Sequence, residues 1–435
     1  MINLFLNKEN LNQAYLKVYR NKGASGVDGL DVQTLKPYLQ THGDAITAQI
    51  RQGTYQTAPI LGIYIDKHNG KKRLLGIPTV VDRVFQQALH QILSPIFEAD
   101  FQANSYGFRP QRNAHQALRQ SLQYINVGYQ DIIDIDLKSF FDEVRHDILL
   151  QLIYRKVKCP LILKLLRSFL RSPIQINGKL YKRRKGVPQG SPLSPLLSNI
   201  LLNELDKELV KRGHRYVRYA DDFSIYVKSK RAAKRVFKSI NLFLMTRLQL
   251  PINEQKSGIR RPVSFTILGH SFVPTYRKGE KGKYQFVVAN SRWKIFKQKL
   301  KYLTRKTRPM SFDERIMVFK RLMKGWLNYF KQTASHSKLK SLDEWLRNRL
   351  RYCIWHDWKK PDRKRKNLIR LGVAQGMAYA WSRTRLGGWR VAQSPILGTT
   401  ITLKRLERRG YETMLSYYYK LKETIKEPPS TRPVC

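Results

Sequence analysis

Arg215-Tyr-Val-Arg-Tyr-Ala-Asp-Asp-Phe-Ser-Ile-Tyr-Val227 is the stretch on which the reading of the whole chain turns. Apolar residues flank the pair Asp221-Asp222 on both sides, the pattern of a β-hairpin whose tight turn presents two carboxylates. Two adjacent ionised aspartates repel each other unless a cation neutralises them. Oxygen donors of this kind suit a hard divalent ion such as Mg²⁺. A lone Asp-Asp pair is more often a solvated turn, so a third acid is needed.

That acid stands upstream. Asp131-Ile-Ile-Asp-Ile-Asp136-Leu-Lys-Ser-Phe-Phe141-Asp142 is a strand-like run that ends in acid and then enters an amphipathic helix. Asp136, at the end of such a strand, would face Asp221 across a sheet. Three carboxylates around two metal ions make a phosphoryl-transfer site, in which one ion activates an attacking 3′-hydroxyl and the other steadies the pyrophosphate leaving group. Between the acidic elements comes Lys185-Gly-Val-Pro-Gln-Gly-Ser-Pro-Leu-Ser-Pro-Leu-Leu-Ser-Asn199. Gly186, Gly190 and the prolines suit a shaped loop leading into a helix. Close backbone approach at Gly190 and a donor at Gln189 would fit a nucleotide sugar or base pair; a plain Pro-rich turn is the alternative.

In this order, Asp136 to Phe141, Pro188-Gln189-Gly190 and Tyr219-Ala220-Asp221-Asp222 resemble the palm of a reverse transcriptase, most closely that of bacterial group II intron reverse transcriptase/maturases. The resemblance implies an α+β right-hand polymerase, with fingers and palm, a helical thumb and a small basic C-terminal helical domain. It implies that Asp136 and Asp221 are the principal ligands of two Mg²⁺ ions, with Asp222 as a third acid. Phe141 would be the steric gate against a 2′-hydroxyl, favouring dNTPs. Gln189 and Gly190 would line the nucleotide pocket.

Composition points the same way. The 435 residues include 82 Lys and Arg against 31 Asp and Glu, a formal net charge of +51. A polyanionic partner relieves that self-repulsion, and nucleic acid is the natural one. No long uncharged apolar stretch or signal peptide supports a membrane. Cys159, Cys353 and Cys435 are isolated, which fits a cytosolic chain. Cys353 and His356 read as packing on a helix.

Residues 3–20 read as one amphipathic helix. Gly23-Ala-Ser-Gly-Val-Asp-Gly29 resembles the family's N-terminal extension, which contacts intron RNA and template; an ordinary linker is the alternative. Pro59–Ile65 and Lys71–Ile77 read as a hairpin, where Lys67 and Arg73 are either solvated cations or, as the resemblance implies, triphosphate ligands. A helix opens at Pro78. Arg109 and Arg112 read as contacts to template backbone or to the palm aspartates, and His115 as structural. The helix entered at Phe141 is expected to run on through Ile148 and Leu152. Asn177-Gly178 marks a hairpin. Lys182-Arg183-Arg184-Lys185 either touches nucleic acid or forms a wet face. Asn253-Glu-Gln-Lys-Ser-Gly258 resembles the polymerase motif whose lysine lies near the leaving pyrophosphate, making Lys256 a candidate general acid. Phe265–Phe272 reads as one apolar strand around Gly269.

From Asn290 the pattern changes to long helices. Trp293, Phe296, Leu300 and Leu303 make one apolar stripe, with Lys294, Lys297 and Lys301 around it. Ser311 and Glu314 have capping-box spacing, and Ser341 and Glu344 repeat it before a third helix. Gly325–Phe330 and Leu342–Arg351 resemble the family's maturase-specific region. Beyond it, Arg363, Lys364 and Arg365 with interleaved tryptophans read as RNA and target-DNA binding. The expected division is 1–58 (N-terminal extension and start of fingers), 59–275 (fingers and palm), 290–356 (thumb) and 357–435 (basic RNA/DNA-binding domain). The sequence carries none of the paired-Cys motifs of the HNH endonuclease that ends many relatives.

The resemblance therefore implies two roles. One is RNA-directed DNA polymerisation on an RNA template with a DNA primer. The other is binding of the parent group II intron RNA to promote splicing, in a cytoplasmic ribonucleoprotein that supports target-primed mobility. A domesticated or defence-associated reverse transcriptase and a splicing-only factor remain the alternatives. Oligomeric state is not legible.

Overall fold

The computed structural model describes residues 1–66, 70, 72–276 and 280–426, with side chains to Glu423. Lys67 lies outside the described residues. Two compact units emerge: Met1–Phe265 with Pro274–Tyr284, and Thr266–Val273 with Gln285–Cys435.

The first unit opens with α1 (Ile2–Phe5) and α2 (Lys8–Asn21) in place of one continuous helix. Asn7 causes the break: its side chain accepts the Glu9 N–H at 2.9 Å and starts α2 afresh. After α3 (Leu35–Gln52) come β1 (Ile60–Asp66) and β2 (Lys72–Ile77), an antiparallel hairpin, and then α4 (Val80–Glu98). The Thr79 hydroxyl caps α4 by accepting the Asp82 N–H at 3.2 Å. This helix is buried around most of its circumference, Asp82, Arg83 and Gln86 included beside Val84, Phe85, Ala88 and Leu89, so it is the unit's central post. The Gly23–Gly29 loop packs on its N-terminus: a Cβ on Gly26 would lie 2.7 Å from the Thr79 Cα.

There follow α5 (Ala114–Asn126), β3 (Asp131–Ile135), α6 (Phe140–Glu143), α7 (His146–Tyr154) and α8 (Pro160–Arg171). The helix expected to run on from Phe141 is broken between α6 and α7. The carbonyls of Phe141 and Val144 are taken by the N–H groups of Val187 and Gly186, both at 2.7 Å, so a distant loop claims the acceptors a helix would need. The hairpin β4 (Ile174–Ile176) and β5 (Lys179–Tyr181) turns at Asn177-Gly178, both with positive φ, as Asn-Gly predicts. Its strand β4 pairs parallel with β1, giving a sheet of order β2-β1-β4-β5. The remaining elements are α9 (Ser194–Lys211), β6 (Arg215–Tyr219), β7 (Asp222–Val227), α10 (Lys230–Phe243) and β8 (Gly258–Arg260), and the second sheet has the order β6-β7-β3-β8. Its Ile132, Ile133, Val217 and Ile225 are buried, as expected of a sheet covered on both faces.

In the second unit, the residues read as a single strand around Gly269 form two strands. β9 (Thr266–Ile267) and β10 (His270–Pro274) pair across Leu268-Gly269, whose φ values of 50° and 79° require the left-handed region, and β11 (Tyr284–Val288) completes the sheet. Three long helices follow: α11 (Asn290–Leu303), α12 (Phe312–Phe330) and α13 (His336–Asp357). The capping box at Ser311 and Glu314 is formed. The one at Ser341 is not: α13 starts five residues earlier, because Leu339, Leu342 and Leu346 continue one buried stripe through the site of the supposed cap. The chain ends in α14 (Pro361–Arg370), α15 (Gln375–Ser382), α16 (Gly388–Gln393), α17 (Pro395–Gly398), α18 (Leu403–Arg408) and α19 (Met414–Lys426).

No break falls at residue 357. One core joins Phe296, Phe319 and Leu346 to Leu368, Val391 and Tyr418. Asp343 of α13 accepts the N–H groups of Met414 and Leu415 at 2.9 and 3.0 Å, which ties the first turn of α19 into the middle of the unit. Cys353 is buried and donates to the Thr304 carbonyl at 3.3 Å, consistent with packing. Among the described residues, no helix is long and apolar enough to cross a membrane.

Candidate active site

The acidic hairpin forms as the sequence predicts. Tyr219 and Asp222 pair across a two-residue turn made by Ala220 and Asp221, and Ala220 adopts φ +58°. β7 lies antiparallel to β3, with Ile135 opposite Phe223, so Asp136 leaves its strand beside the turn. The acids feel one another. Asp221 is raised above the usual carboxylate range by desolvation and by the charge of Asp136, with Arg73 pulling the other way. Asp222 still reaches solvent, yet it is pushed up to about 6 by the desolvating protein around it and then by Asp221, Asp136 and Asp134.

Two cations answer this charge. The Lys256 ammonium lies 3.2 Å from the Asp136 carboxylate. Its segment is bonded to the same residue: Asn253 donates to the Asp136 carbonyl at 2.7 Å, and the Ser257 hydroxyl accepts the Asp136 N–H at 3.0 Å. Arg73 is exposed at the start of β2. Among the described residues, no three His, Cys, Asp or Glu side chains are gathered closely enough to form a ready-made metal cluster. The donor set nevertheless fits a hard cation: it is carboxylates only, and Asp221 and Asp222 are raised by desolvation and by neighbouring acids, a cost that bound positive charge would relieve.

The loop at Pro188-Gln189-Gly190 joins this site from two sides. The Gly76 N–H of β2 donates to the Gln189 carbonyl at 2.8 Å, while the Val187 N–H reaches the Phe141 carbonyl. Gly190 has φ +119°, and a Cβ there would stand 2.7 Å from the Gly76 carbonyl oxygen. No other residue fits that combination of close approach and backbone angle. Phe141 is half-buried, its ring set edge-on to the buried Phe140 at 5.3 Å.

The support beneath the turn was not legible. Arg218 and Asp206 are both fully buried and form a double hydrogen bond, with contacts of 2.5 and 2.9 Å. Arg218 also donates at 2.9 Å to the Ala220 carbonyl and to the Asn199 side chain, and the Asn199 amide holds the Gly107 carbonyl at 2.9 Å. Such a pair survives desolvation only when its hydrogen bonds are filled, as here. One signal was available: Asp206 falls on the face of α9 that carries the buried Leu202, Leu205 and Leu209. Gly107 sits where a Cβ would strike the Ala220 backbone nitrogen. Gly107→Ala is expected to shift the turn and lower single-turnover primer extension by about 100-fold, with the fold intact by circular dichroism.

Other expected site residues have different duties. Arg109 is buried and pairs with Glu98 at 2.6 Å, while donating to the carbonyls of Gln102 and Ser105. It braces the loop after α4 and is neither a template contact nor a partner of the acidic turn. Arg112 lies over the Tyr106 ring. Arg183 turns inward to the Gly186 carbonyl at 2.8 Å, so it shapes the loop, whereas Lys182 and Arg184 are exposed. In the second unit Lys294, Lys297 and Lys301 are exposed on one side of α11. Arg363 is exposed, Lys364 lies 4.5 Å above the Trp355 ring, and Arg365 faces Tyr379.

Residues 65–272 match the family described as reverse transcriptase (RNA-dependent DNA polymerase), and residues 293–372 match the group II intron maturase-specific domain. Protein YkfC of Escherichia coli is 32% identical over 63% of this chain and 82% of its own length. The group II intron-encoded protein LtrA of Lactococcus lactis is 32% identical over 57% of this chain, which spans 52% of LtrA. Among solved structures, a chain of a partial Cas6-RT-Cas1–Cas2 complex is 26% identical over 56% of this chain and 42% of that one, with a TM-score of 0.37.

Proposed function

The chain belongs to the group II intron-encoded reverse transcriptases, and from that premise we propose that it copies RNA into DNA with dNTPs and Mg²⁺ and binds its parent intron RNA to promote folding and splicing. In this reading β1 and β2 belong to the fingers, the β6-β7-β3-β8 sheet is the palm, and α11–α13 form the thumb. The observation that carries the proposal is that Asp136, beside the turn, acts electrostatically on Asp221 and Asp222, with Arg73 and Lys256 opposing that charge.

Asp136, Asp221 and Asp222 would hold the metal ions, which when bound polarise the reacting phosphoryl group and ease ionisation of the primer hydroxyl. Arg73 would meet the triphosphate with a charge-assisted hydrogen bond. The Lys256 Nζ would give its proton to the departing pyrophosphate oxygen. Gln189 would contact the nucleotide, and the half-buried ring of Phe141 would crowd a ribose 2′-hydroxyl. The basic surfaces would offset phosphate repulsion as intron RNA compacts, and they would hold target DNA during target-primed mobility.

The test is primer extension on an RNA template with dNTPs or rNTPs, alongside splicing of the surrounding intron at low Mg²⁺. Wild type is expected to make DNA and promote splicing. Phe141→Ala is expected to lower the preference for dNTPs over rNTPs by at least about tenfold, because a clash that rejects the ribose is removed. Absence of DNA synthesis by the wild-type protein would sink the polymerase reading, and absence of a splicing effect the maturase reading.

A further inference from the structure

Of the second unit's tryptophans, Trp355 alone is buried in the core; Trp345 and Trp389 are among the half-exposed ones, and so is Tyr352 between them. Trp345, Arg349 and Tyr352 fall at i, i+4 and i+7 on α13, one face of the helix. Opposite stand Lys294, Lys297 and Lys301, at i, i+3 and i+7 on α11. Trp389 of α16 closes the end, and the groove so enclosed holds about 590 Å³.

The cations and rings are interleaved. The Lys297 ammonium lies 5.0 Å from the Trp345 ring. The Arg349 guanidinium lies between Trp345 and Trp389, at 5.9 and 5.8 Å. Arg349 is also fixed by donating to the Thr304 carbonyl at 2.7 Å and its hydroxyl at 3.1 Å, so its plane is a rigid part of the floor. The groove does not end there. Tyr352 and Trp389 also line a neighbouring hollow of about 500 Å³ with Lys306, Arg385 and Arg390. Tyr352 then borders a third of about 620 Å³ with Trp355, Lys359, Lys360 and Lys364. Among the described residues, no Asp or Glu lines any of the three.

We propose that these linked hollows are a binding track for an unpaired nucleic-acid strand, with bases stacking on Trp345, Tyr352 and Trp389 and phosphates held by the flanking lysines and arginines. A duplex hides its base faces and offers only phosphates, for which half-exposed rings inside a groove have no use. A single strand offers both, and alternating cations and aromatics match that alternation. The proposal rests on the nucleic-acid reading of this unit and adds to it a strand type and the residues that select it.

The test uses the full-length protein and fluorescence anisotropy with labelled oligo(rU), oligo(dT) and a blunt RNA–DNA duplex. Trp345→Ala and Trp389→Ala are each expected to weaken oligonucleotide binding by about tenfold. The same changes should leave duplex affinity within about twofold, since its contacts are to phosphates. Trp389→Phe, which keeps a ring, is expected to restore binding, and this separates stacking from misfolding. Lys297→Gln is expected to reduce the slope of log K against log salt for single strands by about 0.7. A preference for RNA or for DNA names the strand, and either agrees with the proposal. Alanine variants that bind oligonucleotides as wild type does, or that lose strand and duplex affinity alike, overturn the track while leaving the general reading intact. Wild-type protein that binds neither strand nor duplex overturns both.

Discussion

Asp221→Ala is expected to reduce RNA-templated primer extension by at least about a thousandfold, the scale of several kcal/mol of lost charge stabilisation at a metal-dependent centre. The carboxylate sits in the two-residue turn and shares its field with Asp136 and Arg73. Removing it leaves the remaining acids unable to hold the same charge. The fold should not suffer: a desolvated acid repelled by its neighbours is a cost to the native state, so its loss is neutral or slightly stabilising by thermal unfolding. Splicing of the surrounding intron at low Mg²⁺ is expected to match wild type, because the proposed splicing role would rest on basic surfaces and on no aspartate. If Asp221→Ala retains a tenth or more of wild-type DNA synthesis, the turn is not the catalytic centre. If it loses splicing as well, the two roles share one site.

Arg218→Met is expected to lose stability and activity together, for separable reasons. Asp206 is fully buried, and without Arg218 it keeps a charge with no partner. Breaking such a pair from one side costs about 3–5 kcal/mol, which lowers the melting temperature by roughly 5–9 °C in a unit of this size. The double variant Arg218→Met/Asp206→Leu removes the stranded charge and should recover most of that loss. Primer extension should stay low in the double variant, since the Ala220 carbonyl still lacks the donor that fixes the turn. Full recovery of both melting temperature and DNA synthesis would show that the network serves stability alone.

What the sequence revealed and what it concealed follow from chain separation. The acidic turn, the Asn177-Gly178 hairpin and the cap at Ser311 rest on neighbouring residues, and each formed as read. The break between α6 and α7 depends on acceptors claimed from beyond residue 185, which no local pattern records. Arg109 read as a contact to template or palm aspartates, and Arg183 as a nucleic-acid contact or wet face, because sequence shows charge and not the Glu98 carboxylate or Gly186 carbonyl that absorbs it. The cap expected at Ser341 had the right spacing but lay inside a leucine stripe that outweighs it. The split expected after residue 356 followed composition, and composition does not record that α13 and α19 share Asp343. Of the candidate site, the side chains that touch substrate in the proposed reaction were visible, and those that hold them in place were not.

The joints around the acidic turn are made largely of main chain: Gly76 to Gln189, Val187 to Phe141, and Gly107 against Ala220. A contact between backbones cannot be repaired by exchanging a partner side chain, so drift at these glycines has no compensating second step. Lineages descended from this chain would inherit the frame almost unaltered while Arg73, Phe141 and Gln189 vary within it. In the proposed reading, exchanges at those three side chains would retune nucleotide selectivity while leaving the main-chain joints in place.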